Sequence, residues 1–247
     1  MKQKSRCFLA ILFLVCTFCF CSCKSSKSDV TLGNVMILGD SYSTFENYIP
    51  EGYKSWYKKT ATYTDVKKAE ATWWYQVVDR TNSRLLLNSS YSGTTICHTG
   101  YNGKDCSKIS FVARMNALIE QAYFQENQVD TLIIYGGLND YWANAPLGEL
   151  LYENWSENDL YSVYPAFTYL LTTAKENLPN GRILFVLEEY LGEEMKAGLE
   201  TACRDLEVEC IVTKDIKKTS SHPNLFGMKQ LADQIITYLE DKENGPI

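Results

Sequence analysis

The sequence predicts a three-layer α/β domain, on three observations. Five short apolar runs alternate with segments of helical period. The runs are apolar at consecutive rather than alternate positions, which means burial on both faces, as in a parallel sheet covered by helices. The Gly, Asn, Ser and His residues of chemical interest each follow one of these runs, where an open α/β sheet places its ligand site beyond the carboxyl ends of the strands. Five β-α units in order, joined by right-handed crossovers, complete the expectation.

The elements follow in chain order. Asn34–Gly39 (NVMILG) is the first strand. Thr72 caps a helix that carries Trp73, Trp74, Val77 and Val78, and Arg84–Asn88 (RLLLN) is the second strand. Phe111–Phe124 has helical spacing through Val112, Met115, Leu118, Ile119 and Ala122. Thr131–Tyr135 (TLIIY) is the third strand, and Leu160–Leu178 a long helix stopped by Pro179-Asn180-Gly181. Arg182–Leu187 (RILFVL), a helix over Glu193–Leu206, Glu209–Thr213 (ECIVT) and a helix over Leu225–Leu239 close the chain. Ser43–Ala71 breaks the rhythm: it is long, polar and aromatic without a period, and reads as an insertion folded over the site.

The amino terminus stands apart. Lys2, Lys4 and Arg6 precede an apolar run of fourteen residues, Cys7 to Phe20. That run is too short to span a bilayer comfortably and fits a secretory signal. Its end resembles a bacterial lipoprotein signal, with small Ser22 before Cys23, although Phe20 stands where Leu is usual. The expected organisation is a signal peptide over 1–22, a lipid-anchored tether over 23–33 with Cys23 as the lipidated residue, and one domain over 34–247. The expected location is outside the cytoplasmic membrane, in the periplasm or on the cell surface, held by the lipid alone.

Removing the signal takes the formal charge from −6 to −9, with 21 Lys+Arg against 30 Asp+Glu. An acidic chain is a poor partner for phosphate backbones, so nucleic acid is not expected. Of nine Cys, four lie in the signal and one is Cys23. The remaining Cys97, Cys106, Cys203 and Cys210 could form two disulfides in an oxidising compartment. Three pairings are open; the short-range one, Cys97–Cys106 and Cys203–Cys210, is the expectation.

Four short motifs carry the chemistry. Gly39-Asp40-Ser41-Tyr42-Ser43 follows the first strand, where a tight turn presents a hydroxyl beside backbone N–H groups. Asn88-Ser-Ser-Tyr-Ser-Gly93 follows the second, and Gly lets a backbone N–H approach a ligand closely. Gly136-Gly137-Leu138-Asn139-Asp140 follows the third and brings a side-chain amide. His222, one of two histidines, follows the fifth. Singly, each is ordinary turn or capping chemistry.

As a set they resemble the SGNH/GDSL hydrolase family, with Ser41 in GDSYS, Gly93 in NSSYSG, Asn139 in GGLND and His222 in SSHPN, across roughly residues 34–240. The resemblance implies a flavodoxin-like five-stranded sheet of order 2-1-3-4-5. It also implies ester hydrolysis through an acyl-enzyme, with Ser41 as nucleophile, His222 as base, and the N–H groups of Ser41 and Gly93 with the Asn139 amide as oxyanion hole. No metal or cofactor is called for. The sequence departs from the family at one place: Thr219 stands three residues before His222, where the family has Asp. Asp215 is the nearest upstream acid, Glu188 and Glu189 are more distant, and a backbone carbonyl could orient His222 instead. Tyr42, His98, Asp140, Tyr141 and Trp142 are expected to contact substrate, and Tyr48, Tyr53, Trp56 and Tyr57 add aromatic surface near the site. The expected substrate is a small acyl ester or acylated glycan, with deacetylation of carbohydrate at the cell surface as the leading activity. A lipase, lysophospholipase or thioesterase is the alternative enzyme, and a non-catalytic glycan-binding lipoprotein the alternative class.

Overall fold

The computed structural model describes residues 27–245; the signal segment and Cys23 lie outside the described residues. The strands are β1 (Asn34–Gly39), β2 (Arg84–Ser90), β3 (Thr131–Tyr135), β4 (Arg182–Glu188) and β5 (Glu209–Thr213). They form one parallel sheet in the order β2-β1-β3-β4-β5. β1, β3 and β4, the inner strands, are buried almost throughout because helices cover both faces. The helices are α1 (Trp73–Arg80), α2 (Phe111–Glu120), α3 (Tyr123–Glu126), α4 (Leu138–Trp142), α5 (Val163–Asn177), α6 (Glu193–Asp205) and α7 (Leu225–Asn244). α1 packs with α7, and α5 packs with α2 and α6.

Local chemistry sets the boundaries. The Thr72 hydroxyl accepts from Tyr75 N–H and caps α1, and Asn224 caps α7 through Gly227 N–H. The single helix expected over Phe111–Phe124 is instead two, because Ala122 adopts a left-handed φ of 54°. The long helix starts at Val163 rather than Leu160; Pro165 falls in its first turn, where its missing N–H has no helical partner to lose. After the 3-10 turn that ends at Ser43, the insertion contains no helix or strand beyond a second 3-10 turn at Ala69–Ala71.

A short hairpin went unseen in the sequence. β6 (Lys218–Thr219) and β7 (His222–Pro223) pair antiparallel, with Thr219 opposite His222. The two turn residues, Ser220 and Ser221, have φ of 51° and 63°. Positive φ at both positions is what a two-residue I′ turn requires, and Gly or Asn is the usual signal for it. The hairpin is pinned from the sheet: Lys218 Nζ lies 3.1 Å from Glu188 Oε2 at the end of β4, and Glu188 also accepts from Tyr135 Oη at 3.0 Å. The Glu188 side chain is 1 % exposed and that of Lys218 18 %. Gly227 at the start of α7 packs so closely on the hairpin strand that a Cβ would collide with the Lys217 carbonyl.

This ion pair should be worth more than a surface one. Glu188→Gln and Lys218→Met should each lower stability by about 1–3 kcal/mol, since each removes a charged hydrogen bond in a buried setting. Burial already raises the Glu188 pKa, and Lys218 opposes that rise. A carboxyl whose folded pKa is raised is penalised above its unfolded pKa, and the penalty is relieved as pH falls. Urea midpoints should therefore show Lys218→Met losing less, relative to wild type, at pH 5 than at pH 8. A deficit that does not change with pH would contradict this.

Candidate active site

At the end of β1, Gly39 has no room for a Cβ, which would lie 2.6 Å from the hydroxyls of Ser43 and Ser90. The chain then turns tightly. Asp40 Oδ1 accepts from Tyr42 N–H at 3.0 Å and caps the 3-10 turn Ser41–Ser43. Thr44 Oγ1 donates to Ser41 O at 2.9 Å. The Ser41 hydroxyl, on a residue 4 % exposed, lies 2.9 Å from His222 Nε2.

His222 Nδ1 lies 3.0 Å from Ser220 O. A carbonyl oxygen only accepts, so Nδ1 carries the proton and Nε2 faces Ser41 as the acceptor. No carboxylate takes part. Asp215 is exposed in the loop after β5, where its backbone N–H donates to Glu189 Oε1, and the structure does not bring its side chain to His222. Glu188 holds Lys218 and Tyr135 instead. Burial pushes the His222 pKa down to about 4; the Ser220 carbonyl opposes this and the Lys218 charge adds to it.

The insertion covers this pair. The Trp56 indole lies flat on the His222 imidazole, with ring centroids 3.6 Å apart and planes 6° from parallel. Tyr57 Oη donates to Pro223 O at 2.8 Å, and Tyr42 Oη to Ser221 O at 2.5 Å.

The donors come from two further loops. Gly93 adopts φ 83° with open space around it and is exposed. Neither its N–H nor that of Ser41 has a partner among the described residues. Asn139 follows Gly137, whose φ of 101° turns the chain into α4. Its Nδ2 donates to Asp40 Oδ2 at 3.1 Å and to Thr94 O at 3.0 Å, and its Oδ1 accepts from Tyr101 Oη at 2.8 Å. Both amide hydrogens are thus engaged at rest. Burial pushes Asp40 up to about 7, against the Tyr42 N–H, which lowers it.

One central residue escaped the sequence reading. Arg114 on α2 is 3 % exposed. It donates to Gly39 O at 3.0 Å, Thr94 Oγ1 at 3.1 Å, Ile109 O at 3.1 Å and also to Ser89 O. Burial lowers its pKa to about 10, so it stays charged at neutral pH. The available signal was an Arg on the apolar face of a helix, between Val112 and Met115.

Three of the residues expected to contact substrate are largely buried. Tyr42 is 1 % exposed, wedged between Tyr135 and His222. Asp140 is equally buried and accepts from the Ile96 and Cys97 N–H groups; burial pushes it up to about 6. His98 lies against Ser110 Oγ and Tyr161. These three build walls. Tyr141 and Trp142 stay exposed on α4, beside Asn139.

The expected disulfides are not formed: Cys97, Cys106, Cys203 and Cys210 are free thiols. Backbone bonds close the 97–106 loop, with Cys106 N–H donating to His98 O at 2.7 Å and Thr99 bridging Asp105. The Cys97 thiol donates to Thr99 O, while Cys106 packs on Gly100. Cys203 and Cys210 neighbour one another as thiols, which pushes the Cys203 pKa up. Among the described residues no group of three or more His, Cys, Asp or Glu side chains is placed to hold a metal.

Comparison with known proteins agrees with this architecture. A protein described as a GDSL-like lipase from Bacteroides ovatus is 40 % identical, with a TM-score of 0.80 over 85 % of this chain and 99 % of its own. A second, from Bacteroides uniformis, is 38 % identical, with a TM-score of 0.77 over 87 % of this chain and 96 % of its own. A carbohydrate acetylesterase from Sinorhizobium meliloti shares the fold at 16 % identity, with a TM-score of 0.53 over 84 % of this chain and 98 % of its own. No curated protein matches the sequence. The profile of the GDSL-like lipase/acylhydrolase family matches residues 33–239, and with that span, nearly the whole described domain, the chain belongs to that family of ester hydrolases.

Proposed function

We propose that the chain removes small acyl groups, acetyl first among them, from carbohydrate outside the cytoplasm, through a Ser41–His222 dyad. The observation that carries the reading is the 2.9 Å contact from Ser41 Oγ to a His222 Nε2 whose other nitrogen is fixed on Ser220 O. As Ser41 Oγ bonds to the acyl carbon, its proton passes to Nε2. The carbonyl oxygen gains the charge and accepts from the Ser41 and Gly93 N–H groups and the Asn139 amide. Nε2 then returns the proton to the departing alcohol oxygen, and water releases the acyl group by the same steps in reverse.

Three features support a sugar alcohol. An open cavity of about 700 Å³, lined by Glu46, Tyr53, Lys54, Ser55, Lys58 and Ser92, adjoins Gly93 along the chain. Ile49, Pro50 and Tyr53 add apolar surface to these polar walls, a mixture that suits a hydroxylated ring with an apolar face. Tyr101, Tyr141 and Trp142, between 40 % and 45 % exposed, add aromatic surface near Asn139. The Sinorhizobium relative acts on acetylated carbohydrate by its name.

The tether adds orientation. Ser28 N–H donates to Arg80 O, Ser28 Oγ to Glu240, and Leu32 N–H to Ser83 Oγ. These contacts lie at the amino ends of the strands, opposite Ser41. With Cys23 lipidated as proposed from the sequence, the site would face away from the bilayer and toward soluble or wall-bound glycans.

Ser41→Ala should abolish ester hydrolysis with the fold intact, and a serine-reactive phosphonate should label only Ser41. Turnover surviving in Ser41→Ala would remove the assignment. Acetate release from a panel of acetylated oligosaccharides, set against medium-chain esters and lysophospholipid, tests the substrate class; a preference for the lipids would replace carbohydrate with lipid.

The dyad makes a further demand. Asp215→Asn should cost only a few-fold, far below the roughly 10⁴-fold lost when a true triad Asp is replaced. His222→Ala should remove nearly all activity. Because Nε2 must be unprotonated and its pKa is pushed down to about 4, kcat/KM should hold from neutral pH down to that region and fall below it. An Asp215→Asn loss as deep as that of His222→Ala would restore a triad.

A further inference from the structure

In a triad, the carboxylate does two things for the imidazole: it fixes the ring and it stabilises the positive charge formed as the serine proton arrives. Here a neutral carbonyl, Ser220 O, takes the hydrogen-bonding position. It can fix the tautomer, but it carries no full charge to set against an imidazolium. The charged group that acts on the ring, Lys218, has the wrong sign.

What lies on the imidazole is an indole. Trp56 and His222 are stacked at 3.6 Å and 6°, far closer to parallel than the other aromatic contacts of His222, which are tilted at 60° with Tyr42 and 74° with Tyr57. The negative face of an indole attracts a cation more strongly than any other aromatic side chain. The indole is held by its backbone rather than by its own polar atom. Trp56 N–H donates to Thr44 Oγ1 at 2.9 Å, and the same hydroxyl donates to Ser41 O. Trp56 O accepts from Tyr63 Oη at 2.8 Å, and the Tyr63 ring packs on the indole at 4.8 Å. The indole Nε1–H is buried and finds no partner among the described residues, although buried polar groups are nearly always paired. The ring itself is placed by its contacts with His222 and Tyr63.

We propose that Trp56 is a positioning residue for the dyad, whose stacked indole fixes the His222 ring plane and stabilises the imidazolium that forms during proton transfer, in place of the missing carboxylate. The proposal rests on the esterase reading above. It ties the insertion to the reaction: Ser41 and Trp56 are joined through one hydroxyl, Thr44 Oγ1, so the nucleophile and the aromatic face move as one unit.

The test replaces Trp56 in the full chain by 5-fluoro-, 5,7-difluoro- and 5,6,7-trifluorotryptophan, which keep the shape and progressively withdraw the negative face. Two rates are read: kcat on a chromogenic acetyl ester, and labelling of Ser41 by a phosphonate, which needs proton removal but no particular substrate. Both should fall stepwise with fluorination, by about 10-fold across the series, with KM and the thermal midpoint unchanged. The acid limb of kcat/KM should move to lower pH along the series, because a weaker face favours the neutral imidazole. The groups facing the imidazole are otherwise constant: Ser41 and Tyr42 from the nucleophile turn, Tyr57 from the insertion, and Lys218 and the Ser220 carbonyl from its own hairpin. Trp56→Leu, which keeps bulk without a π face, should lose at least as much as the trifluoro variant. Equal rates across the fluorinated series, or a folded Trp56→Leu with wild-type kcat, would overturn the proposal while leaving the dyad standing. Failure of the phosphonate to label wild-type protein would instead overturn the esterase reading, and the role of Trp56 with it.

Discussion

The site depends on one buried cation. Arg114 reaches from α2 to the carboxyl ends of β1 and β2, donating to Gly39 O and Ser89 O, and on to Thr94 beyond Gly93. A carbonyl oxygen has two lone pairs, and Gly39 O, which already accepts from Tyr91 N–H at 3.1 Å, takes the guanidinium as a second donor. A guanidinium offers five N–H donors in a planar fork, so one side chain satisfies several carbonyls and joins the serine turn to the Gly93 loop. Its charge also opposes the rise in the Asp40 pKa, which matters because Asp40 holds both the turn and Asn139. The arrangement is a built polar interior rather than a cleft with loose side chains.

The histidine is held by a different set of restraints. Ser220 and Ser221 accept left-handed φ values, which L-residues adopt at a cost. That cost is offset around the hairpin. Tyr42 Oη bonds Ser221 O, Tyr57 Oη bonds Pro223 O, and Lys218 bonds Glu188. Each contact ties the hairpin to a different element: the nucleophile turn, the insertion and the sheet. A base without an acid behind it needs this, since its hydrogen bond to a neutral carbonyl is weaker than one to a carboxylate.

The sheet was legible in the sequence because its signal is local. NVMILG, TLIIY and ECIVT are strands at the expected residues, and their order followed from the resemblance. The proximity of Ser41 to His222 was legible for the same reason: both stand at strand ends, and topology brings those ends together. What stayed hidden depends on conformations that residue type does not announce. Ser-Ser is a poor signature for an I′ turn, so the hairpin was read as loop. Ala122 is an ordinary helix former, so the break after α2 left no trace. Tyr42 and Asp140 looked like ligand contacts because they adjoin Ser41 and Asn139, yet in tight turns neighbouring side chains point opposite ways, and these two point inward. The cysteine pairs were read from spacing, which says nothing of what each thiol meets in the fold.

The same inward geometry bears on how the third oxyanion donor would act. Asn139 presents its Nδ2 to Asp40 and Thr94 at rest, at 3.1 and 3.0 Å. An arriving oxyanion must share or displace one of these acceptors. Thr94 O is a neutral carbonyl and the weaker competitor, whereas Asp40 is a carboxyl that burial pushes up to about 7. Protonation there would weaken its hold on the amide and release a hydrogen toward the substrate. What cannot change cheaply is the direction in which the amide points. The Tyr101 hydroxyl donates to Oδ1 and could equally accept, but rotating the amide would leave the Asp40 and Thr94 oxygens facing an oxygen. Whichever acceptor yields to substrate, the other keeps the donor edge turned inward, which leaves the amide oriented before the negative charge appears.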